Sequence, residues 1–360
     1  MRANLTPEDT QPLLKRARRA SPPWSSSPPR RSPSSSSPSP PPPLPFELLH
    51  SPPTPTPPLC PRTVPVALAH LRSADPRLAP LIDAHGPQCI ERLGATTAAK
   101  AAASASAAAA AAAAPATAAF ATFASVVQTI LAQQLSWKAA ATIHRRVLVA
   151  ARLLPAEEES PKKAPVPWAV DDDGGSDARA AAALRLTPAH VLAMPEAALR
   201  GAGVSGAKAA ALRDLAQRFA DGRLSEELLL GAASAAPDGL NAALRREQQR
   251  GEQQQEQGPG AAAAAALLAV RGVGPWSLDM VSMFVLGAPD VLPAGDLGVR
   301  KGLARLRGGG GGPGEVAATK KKKGGGKAAS LPDADEAARL TAAWRPYRTV
   351  GSWLMWRLAE

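Results

Sequence analysis

Cys60 and Cys89 are the only 2 cysteines in the chain. Two thiols cannot build the disulfide framework that staples small secreted domains. They also fall short of the four thiolates an iron–sulfur cluster or a cysteine zinc site requires, so no metal and no cofactor is expected. Long apolar runs are missing as well. The alanine tract 107–114 is too short and too weakly apolar to span a bilayer, and it ends at Pro115. These absences lead us to expect a soluble intracellular protein with no membrane partner. Aromatic residues are few, with 7 Trp, 5 Phe and 1 Tyr, so the position of each is informative. Acid is also in short supply: 42 Lys and Arg face 30 Asp and Glu, a net charge of +12. An excess of this size suggests a polyanionic partner, nucleic acid first and anionic membrane second.

Proline is abundant but unevenly placed: 19 of the 38 prolines fall in residues 1–64, beside long serine runs. Residues 1–63 are therefore read as a disordered Pro/Ser/Arg-rich segment that cannot bury enough apolar surface to offset the entropy of ordering it. Four further stretches look equally unlikely to pack, and they read as inserts in a domain running over 64–360. They are the alanine-rich 95–119, the mixed-charge 155–178, the Gln/Glu-rich 247–260 and the Gly/Lys-rich 308–330. About 210 residues remain, enough for one domain or two small lobes. Residues 1–64 carry +5, 308–330 carry +4, 155–178 carry −5, and the remainder carries +8. The basic excess is thus not confined to tails.

What remains has helical periodicity almost throughout. Residues 64–94 have helical apolar spacing broken at Pro76, Pro80 and Pro87. Phe120 to Leu153 reads as helix, tight turn, helix, with Val126, Val127, Ile130 and Leu131 in the first stripe and Ser136 capping the second. Residues 187–232 give two more periods, broken at Gly201, Gly203 and Gly206. From Ala261 a helix runs into Arg271-Gly272-Val273-Gly274, and Pro275 suits the first position of the next. A further amphipathic helix pair occupies 333–360. Period-two alternation is nowhere sustained, so the expected class is all-α.

The stretch LLAVRGVGPWSLDMVSMFVLGAPDVLPAGDLGVRKGL, residues 267–303, holds the chemistry. Two helices joined by Gly272-Val273-Gly274 form a hairpin whose glycines let the backbone approach a phosphate and present amide N–H groups to it. Such a contact positions DNA without reading its sequence. Taken alone, the same three residues equally describe an ordinary glycine C-cap. With the rest of the stretch, however, the chain resembles the helix-hairpin-helix/Gly-Pro-Asp superfamily of DNA glycosylases, and within it the 3-methyladenine DNA glycosylase II type. The resemblance extends over ALAHLRSADPRLAPLIDAHG (67–86), FASVVQTILAQQLSWKAAATIHRRV (123–147), LRGAGVSGAKAAALRDLAQRFADGRL (199–224) and WRPYRTVGSWLMWR (344–357). These blocks fall in family order and avoid the low-complexity stretches.

The resemblance implies a two-lobed helix-hairpin-helix core and a set of roles. The aspartate beyond the hairpin, catalytic in the family, falls on Asp296, with Val299 as its buried helical partner. Gly295 stands where members often carry a second acid. Asp296 also reads as the N-cap of a helix beginning at Leu297, and the two roles are compatible. Members that also cut the strand place a Schiff-base lysine where this chain has Trp276, which implies a monofunctional enzyme. Trp276, Trp356 and Met280 are the implied base pocket, a core position in the hairpin being the lesser alternative for Trp276. Trp344 and Tyr347 read as core. Gln134 is the favoured wedge residue and Leu135 the other candidate, unless that turn is merely solvated. Gly272, Val273, Gly274, Lys138, Arg300 and Lys301 are candidate phosphate contacts, as are His144, Arg145, Arg146 and Lys208, though each such cation is individually more often plain surface charge.

The expected function is hydrolysis of the N-glycosidic bond of alkylated purines in duplex DNA by base flipping, initiating base excision repair. Two alternatives stay open: a non-catalytic helix-hairpin-helix DNA-binding protein, and an oxidised-base glycosylase/lyase. Expected partners are duplex DNA containing alkylated bases and, through the pathway alone, an abasic-site endonuclease acting on the product of a monomeric enzyme. Lys15-Arg16-Ala17-Arg18-Arg19 resembles a nuclear signal. An acid-poor Arg/Ser-rich leader would equally suit a chloroplast or mitochondrion.

Overall fold

Phe120 to Ala150 shows how composition dictates the architecture. In the computed structural model, helix α3 (Ala121–Ala132) has all 12 of its residues buried, as a helix must when apolar residues surround it. Two of its polar side chains are satisfied within the helix: Ser125 Oγ donates to the Ala121 carbonyl at 2.9 Å and Thr129 Oγ1 to the Ser125 carbonyl at 3.1 Å. The first-turn amides of Thr122 and Phe123, which have no partner within the helix, donate to the Glu226 carboxylate at 3.0 Å. Helix α4 (Trp137–Ala150) starts where expected, with Ser136 Oγ accepting from the Ala139 N–H at 3.4 Å.

The structure describes residues 56–95, 120–154, 185–250, 257–308 and 330–360. Most of the expected N-terminal segment, residues 96–119, the insert 155–178 and the basic Lys15–Arg19 lie outside them. Two expected boundaries move. Leu59 is fully buried and its N–H donates to the Gly287 carbonyl at 2.6 Å, so packing begins ahead of Val64. The Gln/Glu-rich stretch is bounded more tightly than 247–260, because one helix continues to Arg250 and the next starts at Pro259.

The remaining elements, in chain order, are helical among the described residues. Helices α1 (Thr63–Ala74) and α2 (Ala79–Gly94) precede α3 and α4. They are followed by α5 (Pro188–Ala193), α6 (Glu196–Gly201), α7 (Gly206–Ala220) and α8 (Glu226–Ala235). Then come α9 (Leu240–Arg250), α10 (Pro259–Leu268), α11 (Pro275–Met280), α12 (Leu297–Arg307), α13 (Ala334–Leu340) and α14 (Arg348–Ala359).

Two apolar cores result. One gathers Phe123, Ile130, Leu212, Phe219 and Leu267 from the central helices. The other gathers Leu71, Leu93, Val299, Trp344 and Trp353 from the two ends of the chain. A single segment serves both. Leu278, Val281 and Val285 join the first core, while Met280, Met283 and Phe284 join the second. The helix widens to π geometry over Val281–Val285, where the Leu286 N–H donates to the Val281 carbonyl at 3.0 Å. That extra residue per turn shifts the apolar positions around the axis and lets one strand of sequence feed two cores.

Close packing aligns α12 with α14. A Cβ at Gly302 would lie 2.3 Å from the Met355 carbonyl oxygen, so a side chain there would force the helices apart. Helix α14 is anchored at its start by a buried ion pair: Arg348 Nε and Nη2 donate to the Asp290 carboxylate at 2.7 and 2.8 Å. The α12–α14 pair and the hairpin before α11 together frame a cavity.

Candidate active site

Asp296 caps α12 in extended backbone conformation, and its Oδ1 accepts from the Val299 N–H at 2.9 Å. Both the expected cap and the expected buried Val299 are present, the latter 0% exposed. Two indoles from different elements converge on the same carboxylate. Trp276 Nε1, from the first turn of α11, donates to Oδ2 at 2.9 Å, and Trp356 Nε1, from α14, donates to Oδ1 at 2.7 Å. A carboxylate offers about four acceptor positions. Three are filled, two on Oδ1 and one on Oδ2, and the one left open is on Oδ2. Donor bonds to a carboxylate are short and strong, so Asp296 is fixed in rotation as well as in place.

The carboxylate lines a cavity of about 860 Å³. Trp276, Trp356 and Met280 line it with Asp296, as the resemblance implied, and Gln134 and Leu135 contribute from the turn after α3. Trp356 stacks on Phe284 with ring centroids 5.9 Å apart, which braces the indole from behind. Trp276 is only half-buried and donates to Asp296, so it is not simply a core residue of the hairpin.

Gly298 makes the Trp356 contact possible. A Cβ at this position would meet Trp356 Cδ1 at 2.5 Å and Asp296 Oδ1 at 3.1 Å. A glycine in the first turn of a helix costs helix stability; here it lets an indole reach the capping carboxylate. Asp279 lies behind Trp276 on α11. It accepts from Asn241 Nδ2 at 2.7 Å, and the same amide donates to the Pro275 carbonyl at 2.7 Å. Burial raises its carboxyl to about 6, with the negative charge of Asp296 adding to the effect and Asn241 and Arg245 opposing it.

The hairpin glycines behave as their chemistry requires. Gly272 adopts φ +74° and Gly274 caps α11. Both line the cavity. Val273 is half-buried against the central core and outside the cavity lining, its N–H donating to the Val270 carbonyl at 3.1 Å.

Residues 127–324 match the family described as HhH-GPD superfamily base excision DNA repair protein. The chain belongs to this superfamily. Shorter stretches are similar to individual relatives. The alkylbase DNA glycosidase-like protein mag2 of Schizosaccharomyces pombe is 27% identical over 94 residues, 26% of this chain and 35% of that protein. The putative DNA-3-methyladenine glycosylase YfjP of Bacillus subtilis is 27% identical over 26% of each chain. A probable bifunctional transcriptional activator/DNA repair enzyme AlkA of Mycobacterium tuberculosis is 32% identical over 26% of this chain and 14% of its own. The matches thus span about a third or less of these curated relatives. Among solved structures, the S. pombe 3-methyladenine DNA glycosylase Mag1 in complex with abasic DNA is 18% identical, covering 66% of this chain and 79% of that one with a TM-score of 0.39.

Within this HhH-GPD chain several expected phosphate contacts are otherwise engaged. Arg300 Nε donates to the Pro332 carbonyl at 2.8 Å, which commits one edge of its guanidinium to holding the segment before α13. Lys208 Nζ donates to the Leu131 and Gln133 carbonyls at 2.7 Å each, capping α3 instead of facing solvent. His144 is buried, and desolvation lowers it to about 4, so it carries no charge for a phosphate at neutral pH. Lys301 is exposed and lines the cavity; Lys138 is exposed on the first turn of α4 and outside the cavity lining. The sequence reading overlooked Gln133, Gly298 and the Asn241–Asp279 pair. Only Gly298 left a trace in the sequence, as a glycine just inside a helix start.

Proposed function

We propose that the protein is a monofunctional DNA glycosylase that flips an alkylated purine of the 3-methyladenine type out of duplex DNA and hydrolyses its N-glycosidic bond. One observation carries this reading: a carboxylate fixed by two indole N–H groups in a cavity large enough for a nucleobase. The superfamily to which the chain belongs, and the glycosylase names of its relatives, support it.

The chemistry follows from the geometry. Bond breaking leaves an oxocarbenium-like sugar, and the open acceptor position on Asp296 Oδ2 can meet that cation or orient the attacking water. Opposite charges ~4 Å apart at an effective dielectric near 20 attract by about 4 kcal/mol, close to three orders of magnitude in rate. The rings of Trp276 and Trp356 offer electron-rich faces to a cationic base, an attraction worth about 0.5–2 kcal/mol per contact. An alkylated purine that already bears positive charge needs little protonation to leave, consistent with Gly295 in place of a second acid.

The lyase alternative keeps one candidate amine, because Lys301 lines the cavity. A single assay separates the readings. The protein is incubated with duplex carrying N-methylated purines, and strand breaks are measured with and without hot alkali. Breaks that need alkali support hydrolysis to an abasic site. Breaks without alkali, trapped as a borohydride adduct, would support a lyase. No base release would leave a non-catalytic DNA-binding module. Function as a monomer, hand-over of the abasic site to an endonuclease, and a nuclear rather than organellar location belong to the same proposal. A fluorescent fusion of the full chain tests the last.

A further inference from the structure

Gln133 immediately precedes the turn expected to enter the DNA and lines the same cavity, but its side chain reaches across to the hairpin. Its Nε2 donates to the Gly272 carbonyl at 3.0 Å and to Ser277 Oγ at 2.9 Å. The first acceptor belongs to the hairpin turn, and the second sits beside Trp276 on α11. From the other side, Lys208 Nζ donates to the carbonyls of Leu131 and of Gln133 itself. Gln134, the next residue, holds φ +58°, a left-handed conformation that a non-glycine residue keeps only when its surroundings impose it. Leu135 follows, 40% exposed, and both residues line the cavity.

We propose that Gln133 is a positioning residue that ties the wedge turn to the hairpin, so that docking of Gly272–Gly274 on a phosphate fixes how deeply Gln134 and Leu135 enter the base stack. This rests on the base-extruding reading of the site. Extrusion is uphill because pairing and stacking are lost, and a wedge resists their return only if its support does not yield. The two donor bonds of Gln133 supply that support on the hairpin side, and Lys208 supplies it at the end of α3. The same two bonds hold the α11 N-terminus, and therefore Trp276, in register with the wedge. A wedge residue touches DNA; Gln133 acts through its neighbours.

The test compares the full-length wild type with Gln133→Ala and Gln133→Glu, the latter keeping the size while removing both donors. Single-turnover base release is measured on a 7-methylguanine paired with cytosine, and on the same lesion opposite an abasic analogue, where extrusion is cheap. Both variants are expected to release the paired base about 10- to 30-fold more slowly and the unpaired base within about threefold of wild type. Equal slowing on the two duplexes, or none on either, overturns the proposal. A 2-aminopurine placed beside the lesion reports unstacking without chemistry. If wild type unstacks the site but releases no base, the glycosylase reading fails, and the tether stands or falls on whether the variants lose the fluorescence rise. If wild type produces no rise either, both fail.

Discussion

At the scale of single residues, the site depends on the two indole N–H groups that meet at Asp296. Tryptophan in a glycosylase pocket invites a reading as a stacking surface, yet in this protein each ring also donates to the acid. The two contributions separate experimentally. Trp356→Phe keeps an aromatic face and loses the 2.7 Å bond. A hydrogen bond to a charged group is worth about 1.5–3 kcal/mol, so single-turnover release should fall by about 10- to 100-fold with duplex affinity little changed. A loss of DNA affinity with unchanged release would mean that the indole serves the ligand and not the acid. Asp296, Trp276, Trp356 and Met280 were all legible as members of one site because aromatics are rare and the hairpin spacing is distinctive. Gln133 was not, because nothing in Gln133-Gln134 distinguishes the glutamine that turns inward from the one that turns out.

At the scale of elements, α11 carries the most conflicting demands. It feeds two cores, presents Trp276, and buries Asp279 against Asn241. An aspartate raised from 3.8 to about 6 by burial favours its neutral form in the folded protein. Ionisation in the unfolded chain therefore costs the fold stability as pH rises from about 4 to 6, and the full cost persists above that range. Asp279→Asn removes this cost and preserves an acceptor for Asn241. Urea unfolding should show a gain on the order of 1–3 kcal/mol at pH 7.5 and almost none near pH 3.5. An equal effect of the substitution at both pH values would show that burial does not penalise Asp279. Helix positions were largely readable from apolar period and caps, as Ser136 and Asp296 show. The π turn at Val281–Val285 was not, because Val-Ser-Met-Phe-Val fits an ordinary helix and only packing against two cores selects the wider one.

At the scale of the whole molecule, the two-lobed helical arrangement was implied by the family resemblance, but the charge distribution is more selective than composition suggested. Lys208, His144 and part of Arg300 are spent inside the protein: two satisfy backbone carbonyls and one is buried and neutral. Burial and partners are decided by tertiary contacts that a basic residue's identity does not reveal. The basic residue that lines the cavity, Lys301, lies on the helix that Asp296 caps, so an approaching backbone would be drawn toward the acid.

The most direct test of this account is Asp296→Asn, which keeps shape and hydrogen-bonding reach while removing the negative charge. Single-turnover release of 7-methylguanine should fall by about three orders of magnitude, the rate equivalent of the lost charge interaction. Affinity for undamaged duplex, measured in the same buffer, should remain within about threefold, since the substitution leaves every expected phosphate contact in place. Release at the wild-type rate by Asp296→Asn would contradict the assignment of this carboxylate to the reaction.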